Sequence, residues 1–175
     1  MSDFTLQDPV SVANFIIDYA KKRKKPVSNL QLQKIMYFIQ GAFLNKYDSP
    51  LINGTFSRWQ YGPVIKEVYA IFRENGPSPI ENISMTVNFE NNGFEIEKGP
   101  KTTSESLGNS SVYSYLKEIT LELLDVSPWE LVKISHEQEI WSSYKDEIVK
   151  HSAPDYENKE IKKACKDNVS LWHKQ

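Results

Sequence analysis

The stretch from Ser28 to Leu44 constrains this chain most. Leu32, Ile35, Met36, Ile39, Phe43 and Leu44 recur at helical spacing, and Leu30, Tyr37 and Phe38 widen the stripe well beyond one face. A helix that apolar must be contacted from several sides, so it belongs at the centre of the fold. Its start is also written in the sequence. Pro26 stops what precedes it, and Ser28 with Gln31 three residues on has the form of a capping box.

The flanking segments supply helices to surround it. Asp8-Pro9 pairs an N-cap with a proline at the first helical position, and Val12, Phe15, Ile16, Tyr19 and Ala20 follow on one face. The basic run Lys21–Lys25 suits the negative end of that helix. Val112, Tyr115, Leu116, Ile119, Leu123 and Leu124 form another stripe, and Ser127-Pro128-Trp129-Glu130 opens a further short helix. Ile140, Trp141 and Tyr144 continue the apolar pattern, and Glu157 to Cys165 reads as a polar helix with Ile161, Ala164 and Cys165 inward. Between Ile83 and Ile96 the period changes to two around Asn91-Asn92-Gly93, which predicts a β-hairpin. Lys98 to Asn109 is rich in Gly, Ser and Thr and reads as the most mobile internal loop. The expectation is a mainly α, compact single-domain fold with a minor β-element, spanning 1–175 with its core at about 10–161.

Composition narrows the function. Aromatic residues make up 12% of the 175, so large rings carry much of the burial. A formal charge of -2 argues against a general nucleic-acid binder. No apolar run approaches a membrane span, and Met1-Ser2-Asp3-Phe4 is no signal sequence. With one cysteine, Cys165, an internal disulfide is ruled out, and the chain reads as cytoplasmic. Catalytic chemistry finds little purchase. His136, His151 and His173 do not pair at ligand spacing, and His136-Glu137-x-Glu139 reads as a helix end rather than a metal site. Cys165 sits on an inward helix face, away from the role of nucleophile. No phosphate loop, nucleophile elbow or carboxylate pair is present. The chain is therefore expected to be no enzyme, with no catalytic, cofactor or metal site.

The densest run of special residues is Arg58-Trp59-Gln60-Tyr61-Gly62-Pro63-Val64, leading into Glu67, Val68 and Tyr69. Phe56 to Tyr61 reads as extended, with Gly62-Pro63 starting a helix whose buried face is Val64, Ile65, Val68, Tyr69 and Phe72. Residues i and i+2 of a strand share a side, so Trp59 and Tyr61 should lie together. The first expectation is that both rings lock the joint onto the central helix near Met36 and Tyr37; the second is that Trp59 and Tyr61 contact a partner directly. The first leaves Arg58 as the better contact for a partner, with Glu67 beside it.

Three segments together resemble the Panacea domain of SocA-like antitoxins and phage-associated proteins. They are Ser28–Phe38 with Leu32, Lys34 and Tyr37; Trp59-Gln60-Tyr61-Gly62-Pro63-Val64 with Tyr69; and Glu130–His136 with Trp141. Ser135 stands where the family often has Thr, and Ile140 where it commonly has Pro. The resemblance implies a compact helical antitoxin that neutralises a cognate protein toxin by direct binding. The toxin would come from a neighbouring gene, one class being alarmone-synthetase-like nucleotide pyrophosphokinases, and delivery to a protease or chaperone is a further mode. Against a toxin with a basic site, Glu67, Glu74 and Glu81 would be complementary. The alternative reading is a phage or host adaptor that binds a protein without any toxin.

Overall fold

The computed structural model describes residues 3–168, and His173 lies outside them. Helix α1 (Pro9–Lys22) starts where Asp8 accepts a hydrogen bond from Ser11 N, and α2 (Asn29–Tyr47) where Ser28 accepts one from Gln31 N. Every residue of α2 from Gln31 to Leu44 is buried. The helix is packed by α1, by α5 (Ser110–Leu124), α6 (Pro128–Glu137) and α9 (Asn158–Cys165), and by the small sheet described below. The all-round apolar pattern thus has the consequence expected of it, a mainly helical fold wrapped on one central rod. Where α2 meets α9 the approach is tight: a Cβ on Gly41 would lie 2.5 Å from Cys165 Cβ.

Two antiparallel two-stranded sheets complete the fold. One is β3 (Met85–Glu90) with β4 (Gly93–Lys98), matching the predicted hairpin. The other, β1 (Ser57–Trp59) with β2 (Gly62–Val64), corrects the sequence reading: Gly62-Pro63 does not open a helix but returns the chain as a strand. Gly62 has φ +96°, which a glycine adopts freely, and this lets the chain reverse within two residues. Helix α3 (Lys66–Phe72) begins only after Ile65 and runs into a 3₁₀ turn at Arg73–Asn75.

The expected mobile loop is also corrected. Within it α4 (Ser104–Leu107) is capped by Thr103, and Thr102 and Leu107 are fully buried. Thr5 N donates to Leu107 O and Thr102 N to Ser11 O, so the segment is stitched to the N-terminal part of the chain. Short helices α7 (Glu139–Ser142) and α8 (Lys145–Val149) join α6 to α9. No described helix is long and apolar enough to cross a membrane.

Candidate functional site: an aromatic groove behind a clamped turn

The three motif segments meet at Gly62. A Cβ there would lie 2.6 Å from Ser135 Oγ of α6 and 2.9 Å from Lys34 Cε of α2, so only a glycine fits. Lys34 is fully buried, and its Nζ donates to Pro63 O at 2.9 Å. Removal from water pulls its pKa down from 10.5 to about 7. Ser135 turns its hydroxyl back to Val132 O at 2.7 Å.

Helix α2 fixes the surrounding backbone with buried polar side chains. Gln33 Oε1 accepts from Ile65 N at 2.9 Å, and Asn29 Nδ2 donates to Tyr69 O at 3.1 Å. Two turns beyond Gln33, Gln40 accepts from Leu51 N and Ile52 N and donates to Ile52 O. Tyr37 donates to Gln138 Oε1 at 2.5 Å, its ring edge-on to Phe56, and Leu32 and Val64 are core residues. Buried groups of this kind hold only when paired, so each bond specifies one path for the loop it grips.

The structure places Arg58 inside and leaves the rings nearer the surface, the reverse of the first expectation. Arg58 is 4% exposed, and a partner cannot reach its guanidinium. Its Nε donates to Ile140 O at 2.7 Å, Nη1 to Pro154 O and Asp155 O, and Nη2 to Glu160 Oε2 at 3.0 Å. Tyr144 and Tyr156 sandwich it at 4.2 and 4.3 Å. In sequence, Arg58 stands as the partner contact only if both rings are packed away. Here its fork instead ties β1 to the α7–α9 region, a role that only the distant chain brings about. Trp59 and Tyr61 do not pack on Met36 and Tyr37. Because the chain turns between them, Trp59 goes edge-on to Tyr69 at 4.9 Å, and Tyr61 to Trp129 of α6 at 5.6 Å. Trp59 is half-buried; Tyr61 and Trp129 are 50% and 61% exposed.

Trp141 supports this turn from below. Its Nε1 donates to Trp59 O at 2.9 Å, and its ring stacks on His136 at 3.6 Å. Burial holds the His136 imidazole below its ordinary pKa, opposed by a backbone hydrogen bond at Gln60. Between the turn, α3 and the start of α6 lies a groove of about 1240 Å³ rimmed by Trp59, Tyr61, Tyr69 and Trp129. Lys66 and Arg73 also line it, whereas Glu67, exposed on α3, does not. Trp129 was legible only as a helix-start residue. Its pairing with Tyr61 depends on how β1–β2 folds back on α6.

The sequence profile described as "Antitoxin SocA-like, Panacea domain" matches residues 32–142, which takes in the second and third segments and the first from Leu32 onward. This chain belongs to the SocA-like Panacea family. It is 34% identical over 135 residues to Antitoxin SocA of Caulobacter vibrioides (strain NA1000 / CB15N), covering 74% of this chain and 68% of that protein. No solved structure matches. The Panacea signature residues thus divide physically. Leu32, Lys34, Tyr37, Gly62, Pro63, Val64 and Trp141 are buried structure, while Tyr61 and, partly, Trp59 and Tyr69 reach the surface.

Proposed function

We propose that this protein is an antitoxin that neutralises a cognate protein toxin by direct binding, with the aromatic groove as its contact face. The observation that carries the reading is the Tyr61–Trp129 pair, two large rings left exposed where a turn held rigid from behind meets the start of α6. Exposed aromatics on a fixed support lose little entropy on docking, which is how interface hot spots gain affinity. Neutralisation would follow from covering the toxin's substrate site, with no covalent step in the antitoxin. Lys34 and Ser135, which abut the turn at Gly62, are buried. We take the toxin to be the product of a neighbouring gene, with nucleotide pyrophosphokinases of the alarmone-synthetase type as the first class to try. Passing the toxin to a protease or chaperone would need a second surface besides the groove.

Co-expression tests this. The wild-type chain should restore growth against the neighbouring gene's product and co-purify with it. The double variant Tyr61→Ala/Trp129→Ala should fold with a melting temperature within a few degrees of wild type yet lose both. Full neutralisation by a folded double variant would remove the groove from the interface, and no rescue by the wild-type chain would remove the toxin reading.

A further inference from the structure

Among the described residues, the β3–β4 hairpin buries none of its apolar side chains in the core. Its two central asparagines, Asn91 and Asn92, have φ 32° and 78°, as a tight two-residue reversal requires. The register Phe89↔Phe94, Val87↔Ile96 and Met85↔Lys98 puts Met85, Val87, Phe89, Phe94 and Ile96 on one face. All five are exposed, Phe89 at 83% and Phe94 at 68%. The other face carries Thr86, Asn88, Glu90, Glu95 and Glu97. Neither outer edge pairs with another strand among the described residues.

The base, by contrast, is firmly held. Asn14 of α1, fully buried, donates from Nδ2 to Ser84 Oγ and Pro100 O at 2.8 Å and accepts from Ser84 N at 2.9 Å. Gly99 N closes the neck on Ser84 O at 2.7 Å. The core therefore aims the hairpin while taking none of its five apolar side chains. A two-stranded ribbon is marginal alone, and an apolar strip with open edges is a template for another strand.

We propose that this hairpin is a docking strip for an extended protein segment of alternating apolar and basic residues, which adds to it as a third strand. An added strand continues the pleat, so its alternate side chains fall on the apolar and the acidic face in turn. Glu90, Glu95 and Glu97 then select lysine or arginine at every second position. Along the β4 edge the same charges oppose a second copy of this chain, because aligning two apolar faces there would set Glu95 and Glu97 of both copies side by side. Assigning the segment to the toxin rests on the toxin-binding reading; the strip's chemistry does not.

The pairing also says which amides matter. In a two-residue hairpin the closing pair Glu90↔Gly93 exchanges hydrogen bonds, so the N–H groups of Val87 and Ile96 point outward. Proline at either position removes an outward donor without touching the hairpin's own bonds.

The test is a titration of the full-length, ¹⁵N-labelled protein with a capped peptide alternating valine and lysine, and with one alternating valine and glutamate. Saturable shifts confined to residues 85–98 are expected for the lysine peptide, with binding at least about tenfold tighter than for the glutamate peptide. Val87→Pro/Ile96→Pro should abolish them while amides elsewhere keep their positions. Phe89→Ser/Phe94→Ser, which leaves the backbone donors in place, should weaken binding about tenfold. No saturable shifts, equal binding of the two peptides, or undiminished binding by the double-proline variant would overturn the proposal. In co-expression, a Phe89→Ser/Phe94→Ser protein that neutralises as well as wild type would detach the strip from the toxin. Absence of rescue by the wild-type chain would count against the toxin alone, and the peptide result would still decide the strip.

Discussion

Replacing Lys34 with methionine should make the protein more stable at pH 6 and leave it almost unchanged at pH 9.5. The lysine is fully buried, its ammonium donates to the carbonyl of Pro63, and no carboxylate pairs with it among the described residues. Its pKa falls from 10.5 to about 7 because burial penalises the charged form. For a base whose folded pKa is depressed, the unfolded chain holds the proton more tightly. Stability therefore rises with pH between 7 and 10.5, and the whole penalty is present below 7. At about 1.36 kcal/mol per pH unit, the penalty is roughly 4 to 5 kcal/mol at pH 6 and about 1 to 2 kcal/mol at pH 9.5. Methionine fills similar volume and removes it, but leaves the Pro63 carbonyl without its donor, which costs about 1–3 kcal/mol. The net gain is then about 1 to 4 kcal/mol at pH 6, a rise in melting temperature of about 2 to 15 °C, and centred close to nothing at pH 9.5. Thermal and denaturant melts of both proteins at the two pH values measure this directly. A variant destabilised by the same amount at both would refute the reasoning, since the lysine would then be held by interactions and not penalised by its burial.

Three further outcomes follow from the packing. Arg58→Ala should lower stability by about 3–5 kcal/mol, because Glu160 and three carbonyls lose their donor at once; a shift in denaturation midpoint under 1 kcal/mol, measured against about 3, would contradict the clamp. Gly41→Ala should cost about 1–3 kcal/mol by forcing α9 off α2, and Gly41→Ala/Cys165→Gly should recover much of it, read by chemical denaturation. Burial pushes the Cys165 thiol up to about 12, so in native protein at pH 8 it should react with a thiol reagent only as fast as the chain opens, and promptly in denaturant.

What the sequence disclosed depended on how local the signal was. Asp8-Pro9, Ser28 and Ser127-Pro128 placed three helix starts correctly, because a cap and the amide it binds are three residues apart. The change to period two, with Asn91-Asn92-Gly93, placed the β3–β4 hairpin for the same reason. The reading of 58–63 failed because its deciding partners are remote. Arg58 is defined by Ile140, Pro154, Asp155 and Glu160, some 80 to 100 positions away, and Gly62 by Lys34 and Ser135. The loop from Lys98 to Asn109 misled in another way. Its Ser and Thr side chains include the Thr103–Ser106 capping box, so a composition that suggests disorder instead starts a helix.

The buried amides and the buried lysine of α2 have one more consequence. Asn29, Gln33, Lys34 and Gln40 hold Tyr69 O, Ile65 N, Pro63 O, and Ile52 N and O, all of them main-chain atoms. Nearly any amino acid would present the same atoms to those grips. The outward-facing residues of these loops can therefore be rewritten with little effect on the path of the chain, while the inner helix stays as it is. On the groove reading proposed above, retargeting this scaffold to a different toxin is a matter of repainting positions such as Gln60, Tyr61, Lys66 and Tyr69, not of rebuilding the molecule that displays them.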